Sequence, residues 1–323
     1  MSIVSCQLST FFKEMLPYFP FAKGFDLKMG TSPLKDEFSI TECDEHYLYE
    51  VSLKRKMLTE NPDWYFLSNP DTKAAQWEAL ELILTGLAKN YPQHFKLQKQ
   101  NTTWQWTNNL LNETQTFVVG DDATLPLQPL NWVGQQVQED LILLNAYLIV
   151  VAGQLCFPSG WSLSDKMNQH FIKVHAPLPQ ITESMIQSAN KLLERIPAHK
   201  PVTRNNWGFR VCDWLDLSTR QSAAYKKLLH EVSETLLPDE VGEKIFVRVE
   251  HQTLSRLPVS NHILFTIHTY QNKVKEEMED VERATALTGF LDSVPDQMLE
   301  YKLMTPFIEA LRIYVKQHQG IKR

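Results

Sequence analysis

The chain has 11 glycines among 323 residues, and none falls in a nucleophile elbow, a phosphate-cradling loop or a dinucleotide fingerprint. Simple hydrolase and nucleotide chemistry are therefore disfavoured, and cofactor chemistry gains by elimination. Cysteine is scarce: Cys6, Cys43, Cys156 and Cys212 stand too far apart for a metal knuckle or a small disulfide framework. They read as free, buried thiols in a reducing compartment. Positive charge is in deficit, with 32 Lys and Arg against 38 Asp and Glu and a net charge of −6, so no basic field meets a phosphate backbone. No nucleic-acid partner is expected. No apolar run approaches the ~20 residues that span a bilayer, and the first residues lack a cationic start followed by an apolar stretch. Neither membrane insertion nor secretion is expected, and a cytoplasmic location follows. No Pro/Gly/Ser-rich linker or charge block divides the chain, so residues 1–323 read as one domain.

What is present is ample core material, 43% hydrophobic residues with 22% charged. Asp44 to Met57 carries Tyr47, Val51 and Met57 at helical spacing. Lys73 to Asn90 carries a clearer stripe through Ala75, Leu80, Ile83, Leu84 and Leu87, closed by Tyr91-Pro92. Asp140 to Asn145 and Tyr147 to Phe157 are rich in Leu, Ile and Val, and Asn145-Ala146 offers a hairpin turn. Tyr147 to Ala152, the longest apolar stretch, reads as a buried strand. Ile181 to Arg195 is again helical. Ile245, Val247 and Val249 alternate with Phe246, Arg248 and Glu250, and Ile263, Phe265 and Ile267 repeat the alternation beyond Leu257-Pro258, which predicts adjacent antiparallel strands. Leu287, Phe290, Leu291 and Val294, then Ile308, Leu311 and Val315, mark C-terminal helices. A helix-rich beginning, a β-rich middle and a helical end, without βαβ alternation, predict an α+β fold: an antiparallel sheet with helices around it.

Two segments concentrate the chemistry, Cys156 to Pro179 and Arg248 to Ser260. His170 and His175 are five apart, a spacing that suits neither the helical zinc pair nor a zinc finger. His175 heads His-Ala-Pro-Leu-Pro, whose prolines fix φ and stiffen the chain. Its imidazole suits a single proximal bond to haem iron, and equally a structural turn. Cys156 has the same two readings, a thiolate ligand or a small buried thiol at a strand end. In the second segment Arg248 and Glu250 share a strand face, where they could pair or grip a polar ligand group together, and Arg256 emerges in the following loop. Arginine suits a carboxylate such as a haem propionate; a buried glutamate suits a cationic amine. An internal salt bridge is the competing reading. His251, His262 and His268 read as surface or sheet-face residues.

A series of short segments in fixed order resembles the haem-dependent oxidative N-demethylase family. They are PFAKGFDLKMGTSPL around Phe21 to Leu34; Asp44, Tyr47 and Arg55; NYPQHF at Asn90 to Phe95; QEDLILL at Gln138 to Leu144; and CFPSGWSLSDK at Cys156 to Lys166. VHAPLP at Val174 to Pro179, VTRNNW at Val202 to Trp207, RVEHQTLSRLPVS at Arg248 to Ser260 and Tyr301-Lys302 complete it. The resemblance implies a PAS-like sheet holding haem b and oxidation of a small secondary amine to a primary amine and formaldehyde. Electrons would come from NADPH through flavin and iron–sulfur partner subunits, since this chain has no cysteine pattern for such centres. It further implies His175 as the metal ligand, Glu250 and Arg248 as catalytic residues, and Lys166, Arg204 and Arg256 with Trp161 and Trp207 as cofactor contacts.

The sequence departs from the family pattern at four points. Leu178 replaces a valine in His-x-Pro-Val-Pro, His251 stands where Glu-Arg-Gln has arginine, Asn168 ends Lys-x-Gly, and Leu303 replaces the glycine after Tyr301-Lys302. A haem-binding sensor or interaction protein without amine oxidation is the alternative that these departures keep open.

Overall fold

The computed structural model describes residues 15–22, 24–26, 31–36, 39–175, 179–180 and 182–319, with the backbone alone at His175. Among the described residues ten strands run in chain order: β1 (Ser32–Pro33), β2 (Phe66–Ser68), β3 (Phe95–Gln100), β4 (Thr103–Asn108), β5 (Glu113–Val118), β6 (Asp140–Leu144), β7 (Val150–Gln154), β8 (Val202–Arg210), β9 (Phe246–Arg256) and β10 (Ile263–Lys273). Seven form one antiparallel sheet in the order β1-β8-β9-β10-β6-β7-β2, and β3-β4-β5 form a separate meander. The architecture is mixed α+β.

β9 and β10 are the spine of the large sheet, paired from Phe246↔Lys273 to Arg256↔Ile263. Alternation along them sends successive side chains to opposite faces. Val247 and Val249 pack with Leu287, Phe290, Leu311 and Val315 of the helices Val281–Ser293 and Ile308–His318. On the same face Leu141, Leu143 and Leu264 meet Leu80, Ile83, Leu84 and Leu87 of the helix Lys73–Asn90 and Trp104 and Trp106 of the meander. The other face carries Ile142, Leu144, Val150 and Leu254 against Leu193 of the helix Glu183–Arg195. That second face holds the cavity described below.

Several expectations need correction. The helix Lys73–Asn90 coincides with its apolar stripe, and the first helix runs Tyr47–Glu60. The β6–β7 connection, however, is wider than a two-residue hairpin. Asn145 Oδ1 accepts the backbone N–H groups of Tyr147 and Ile149, and Leu148 turns through φ +58°, so β7 starts only at Val150. Tyr147, expected in a buried strand, is 77% exposed at that loop. The beginning of the chain is not simply helix-rich. β3 to β5 lie there, with left-handed Asn101 and Asn112 at their turns; in these mostly polar strands the apolar side chains that are fully buried are Phe95, Trp104, Trp106 and Phe117. Arg256 ends β9 rather than standing in the loop. No helix among the described residues is long and apolar enough to cross a membrane.

Candidate functional site

The second sheet face floors a cavity of about 350 Å³. Alternation brings Arg204 and Asn206 of β8, Glu250, Gln252 and Leu254 of β9, Phe265 and Ile267 of β10, and Ile142 and Leu144 of β6 to it. Opposite stand Trp161 and Lys166, Phe171 and Val174 of the helix Phe171–His175, and Leu192 and Leu193 of the helix Glu183–Arg195. Tyr301 and Lys302 close one end. The strongly one-sided helix Glu183–Arg195 is what turns a sheet face into a partly open, mostly apolar slot.

The polar groups gather at one end. Asn206 Nδ2 donates to Glu250 Oε2 at 3.1 Å, Gln252 Nε2 donates to the same oxygen at 2.9 Å, and Lys302 Nζ donates to Asn206 Oδ1 at 2.9 Å and to the Trp207 carbonyl at 2.7 Å. Burial, with Arg210 nearby, pushes the Lys302 ammonium down to about 7 against the opposing pull of Glu250. Arg204 is lowered by burial as well, and its buried Nε has no hydrogen-bond partner. A buried guanidinium N–H without an acceptor is costly, and a carboxylate would satisfy it.

The residues expected at the site divide. Trp161, Lys166, Arg204 and Glu250 line the cavity together. Lys166 Nζ reaches the Val174 carbonyl at 3.4 Å. His175 ends the short helix whose Phe171 and Val174 line the wall; its side chain, and Ala176 to Leu178 after it, lie outside the described residues. Arg248 shares the alternation of Glu250 but lies outside the cavity. It is 1% exposed, and its guanidinium donates to the carbonyls of Phe157 (2.7 Å), Leu215 (3.1 Å) and Trp214 (3.2 Å), which are loop acceptors rather than Glu250. Trp207 points to the opposite face, edge-on to Phe290 at 4.8 Å, and meets the site only through Lys302 Nζ, 4.7 Å from its ring. Arg256 ties the end of the helix Glu183–Arg195 to β9 through the carbonyls of Leu193 and Ile196.

Cys156 is fully buried among Met57, Leu58, Tyr65 and Phe157, away from the cavity, and burial holds its thiol far above the usual range. His170 Nδ1 accepts from the Ile172 N–H at the start of its helix. His268, read as a surface or sheet-face residue, stands on the opposite sheet face, 1% exposed and enclosed between Glu139 and Asp44. Asn206 and Gln252 escaped the residue-type search because neither titrates; their even positions alongside Arg204 and Glu250 were the available signal. The family model described as haem-dependent oxidative N-demethylase, alpha subunit-like, matches residues 33–312.

Proposed function

The chain belongs to the haem-dependent oxidative N-demethylase, alpha subunit-like family, and on that premise we propose that the cavity holds haem b and oxidises a small secondary amine beside it. The cavity's composition carries this reading: apolar walls, cations at Arg204, Lys166 and Lys302, and one carboxylate, Glu250. The residues fit the group. A porphyrin needs an apolar slot, and its propionates need cationic donors, of which Arg204 has a buried N–H still to be satisfied. His175, which follows the wall residue Val174 in the chain, would hold its iron.

Haem, when bound, would supply the O2 chemistry that no side chain here provides. The protein's own part is binding and orientation. Glu250, held by Asn206 and Gln252, accepts the N–H groups of the ammonium substrate. Lys302, poised near neutrality, holds or releases a proton at Nζ. The apolar walls exclude water. The overall reaction consumes the amine, O2, NADPH and a proton, and yields the primary amine, formaldehyde, water and NADP. The electrons come from separate flavin and iron–sulfur subunits. The large sheet with its ligand on one face serves as a PAS-like platform, and residues 1–323 act as one domain.

Three departures from the family pattern leave this reading intact. Asn168 and Leu303 stand where the family has glycine, and both take left-handed backbone, φ +60° and +59°, so the turn geometry is retained with a side chain added. His251 lies on the sheet face away from the cavity, stacked on Tyr18 with ring centroids 3.8 Å apart. None adds a group to the cavity.

Haem titration of the purified protein tests the proposal. A Soret band should appear, His175→Ala should shift or abolish it, and formaldehyde should form from an amine and a reductant. A protein that takes up no haem ends the proposal, and haem uptake without turnover across an amine panel favours the sensor reading. The reduced carbon-monoxide spectrum separates imidazole from thiolate ligation, and imidazole is expected because Cys156 is shut in its own apolar cluster.

A further inference from the structure

On the cavity face of the large sheet a cation and an anion stand side by side without neutralising each other. β8 and β9 pair Arg204 with Gln252 and Asn206 with Glu250. Arg204 and Glu250 are therefore diagonal neighbours on one face, a spacing of roughly 7 Å, within reach of long side chains. Both line the cavity.

Two neutral amides keep the charges apart. Gln252, directly opposite Arg204, turns its Nε2 to Glu250 Oε2 at 2.9 Å, and Asn206, directly opposite Glu250, donates to the same oxygen at 3.1 Å. Glu250 favours the charged form of Arg204 against the effect of burial, so the two groups sense each other. Yet no ion pair joins them among the described residues, and the buried Arg204 Nε is left without an acceptor. An ion pair with Glu250 would be the nearest remedy for that N–H, because an unmet buried donor is costly. An arrangement that keeps both groups open presents a receptor for a molecule that carries the two charges in the opposite order.

A simple alkylammonium would use Glu250 alone, and a simple carboxylate Arg204 alone. An α-amino acid uses both. Its ammonium and carboxylate are joined through one carbon by bonds of about 1.5 Å, and a hydrogen bond of about 2.9 Å at each end brings the span to the diagonal spacing. We propose that the polar end of the cavity binds an α-amino acid zwitterion, ammonium on Glu250 and carboxylate on Arg204, and that the substrate is accordingly an N-methyl α-amino acid. The binding stands independently of haem; the substrate assignment rests on the haem reading.

The neighbouring groups suit this ligand. Lys302 Nζ gives two N–H groups to Asn206 Oδ1 and the Trp207 carbonyl, which leaves its third for the carboxylate. Leu254, Phe265 and Ile267 offer an apolar bed for the N-methyl group and the amino-acid side chain. A guanidinium has two donor edges, so Arg204 serves a haem propionate on one and the substrate on the other. The reaction keeps the balance given above: the N-methyl carbon leaves as formaldehyde and the nitrogen stays on the primary amino acid. O2, NADPH and a proton are consumed, and water and NADP are formed.

Isothermal calorimetry on the full chain, with and without haem, tests this with three ligands: N-methylglycine, N-methylglycinamide, which lacks the carboxylate, and N-acetylglycine, which lacks the ammonium. N-Methylglycine should bind at least about tenfold more tightly than either. Arg204→Gln should cut its advantage over the amide to about twofold or less, and Glu250→Gln should do the same to its advantage over N-acetylglycine. The ligand comparison on the parent protein decides alone if a variant does not fold. No saturable heat with N-methylglycine in either form, an amide that binds as tightly, or an advantage kept in Arg204→Gln would overturn the assignment. A protein that shows this selectivity but takes up no haem would end the haem reading and leave the zwitterion site standing, and haem uptake without the selectivity would do the reverse.

Discussion

Asn206 and Glu250 occupy directly paired positions on β8 and β9, and the Asn206 amide donates to the Glu250 carboxylate at 3.1 Å. Because the same amide accepts from Lys302 at 2.9 Å, one neutral side chain orients both an anion and a cation at the cavity's polar end. Glu250→Gln keeps the shape and removes the charge. Haem uptake should persist, and kcat/KM for an amine should fall roughly 10- to 100-fold in a formaldehyde assay. An unchanged rate would remove Glu250 from substrate binding.

Lys302 should leave a mark on stability as a function of pH. Its folded pKa, about 7, lies below the ordinary lysine value of 10.5 in the unfolded chain. Between those values the unfolded state binds more protons, so stability rises with pH across this window and is lowest below it. Lys302→Met should flatten that rise, by up to about 1.4 kcal/mol per pH unit, in melting temperatures of the haem-free protein. Parallel profiles for the two proteins would mean that Lys302 is not charged at a cost below neutrality.

Arg248 is expected to act on stability rather than on chemistry. Removing its guanidinium orphans the buried carbonyls of Phe157 and Leu215. Arg248→Met should therefore cost about 3 kcal/mol in urea unfolding while the folded fraction binds haem within about twofold of the parent. A stable protein with lost activity would instead support a catalytic role.

Leu303 carries a strain that glycine would relieve. At φ +59° its Cβ crowds the backbone. Leu303→Gly should stabilise the protein by about 1 kcal/mol, read from the urea midpoint at unchanged slope. A lower midpoint would show that the Leu303 side chain contributes more by packing than its backbone conformation costs.

Legibility followed the strength of the local pattern. The helix Lys73–Asn90 was readable to its ends because one stripe feeds one core and Tyr91-Pro92 closes it. β9 was readable as alternation, but its extension to Arg256 was not, because Glu250 to Ser255 are polar and apolar residues buried on both faces. The meander β3 to β5 was missed because strands whose core contribution is two tryptophans and two phenylalanines resemble polar loop.

The sequence by itself determined the α+β class, the main helices, the pairing of β9 with β10, and which titratable residues were worth following, because period and residue type are local properties. Only the tertiary structure decided how those residues sort. Arg248 and Glu250 stand two positions apart on one strand face, yet one meets loop carbonyls and the other a cavity, since what covers a sheet face changes along its length. The same folding that brought Lys302 across the chain to Asn206 placed Glu50, unremarkable in its helix, in the wall of a separate, acidic cavity. Burial and proximity between distant segments make those groups chemically distinct, and neither is written in any single stretch of sequence.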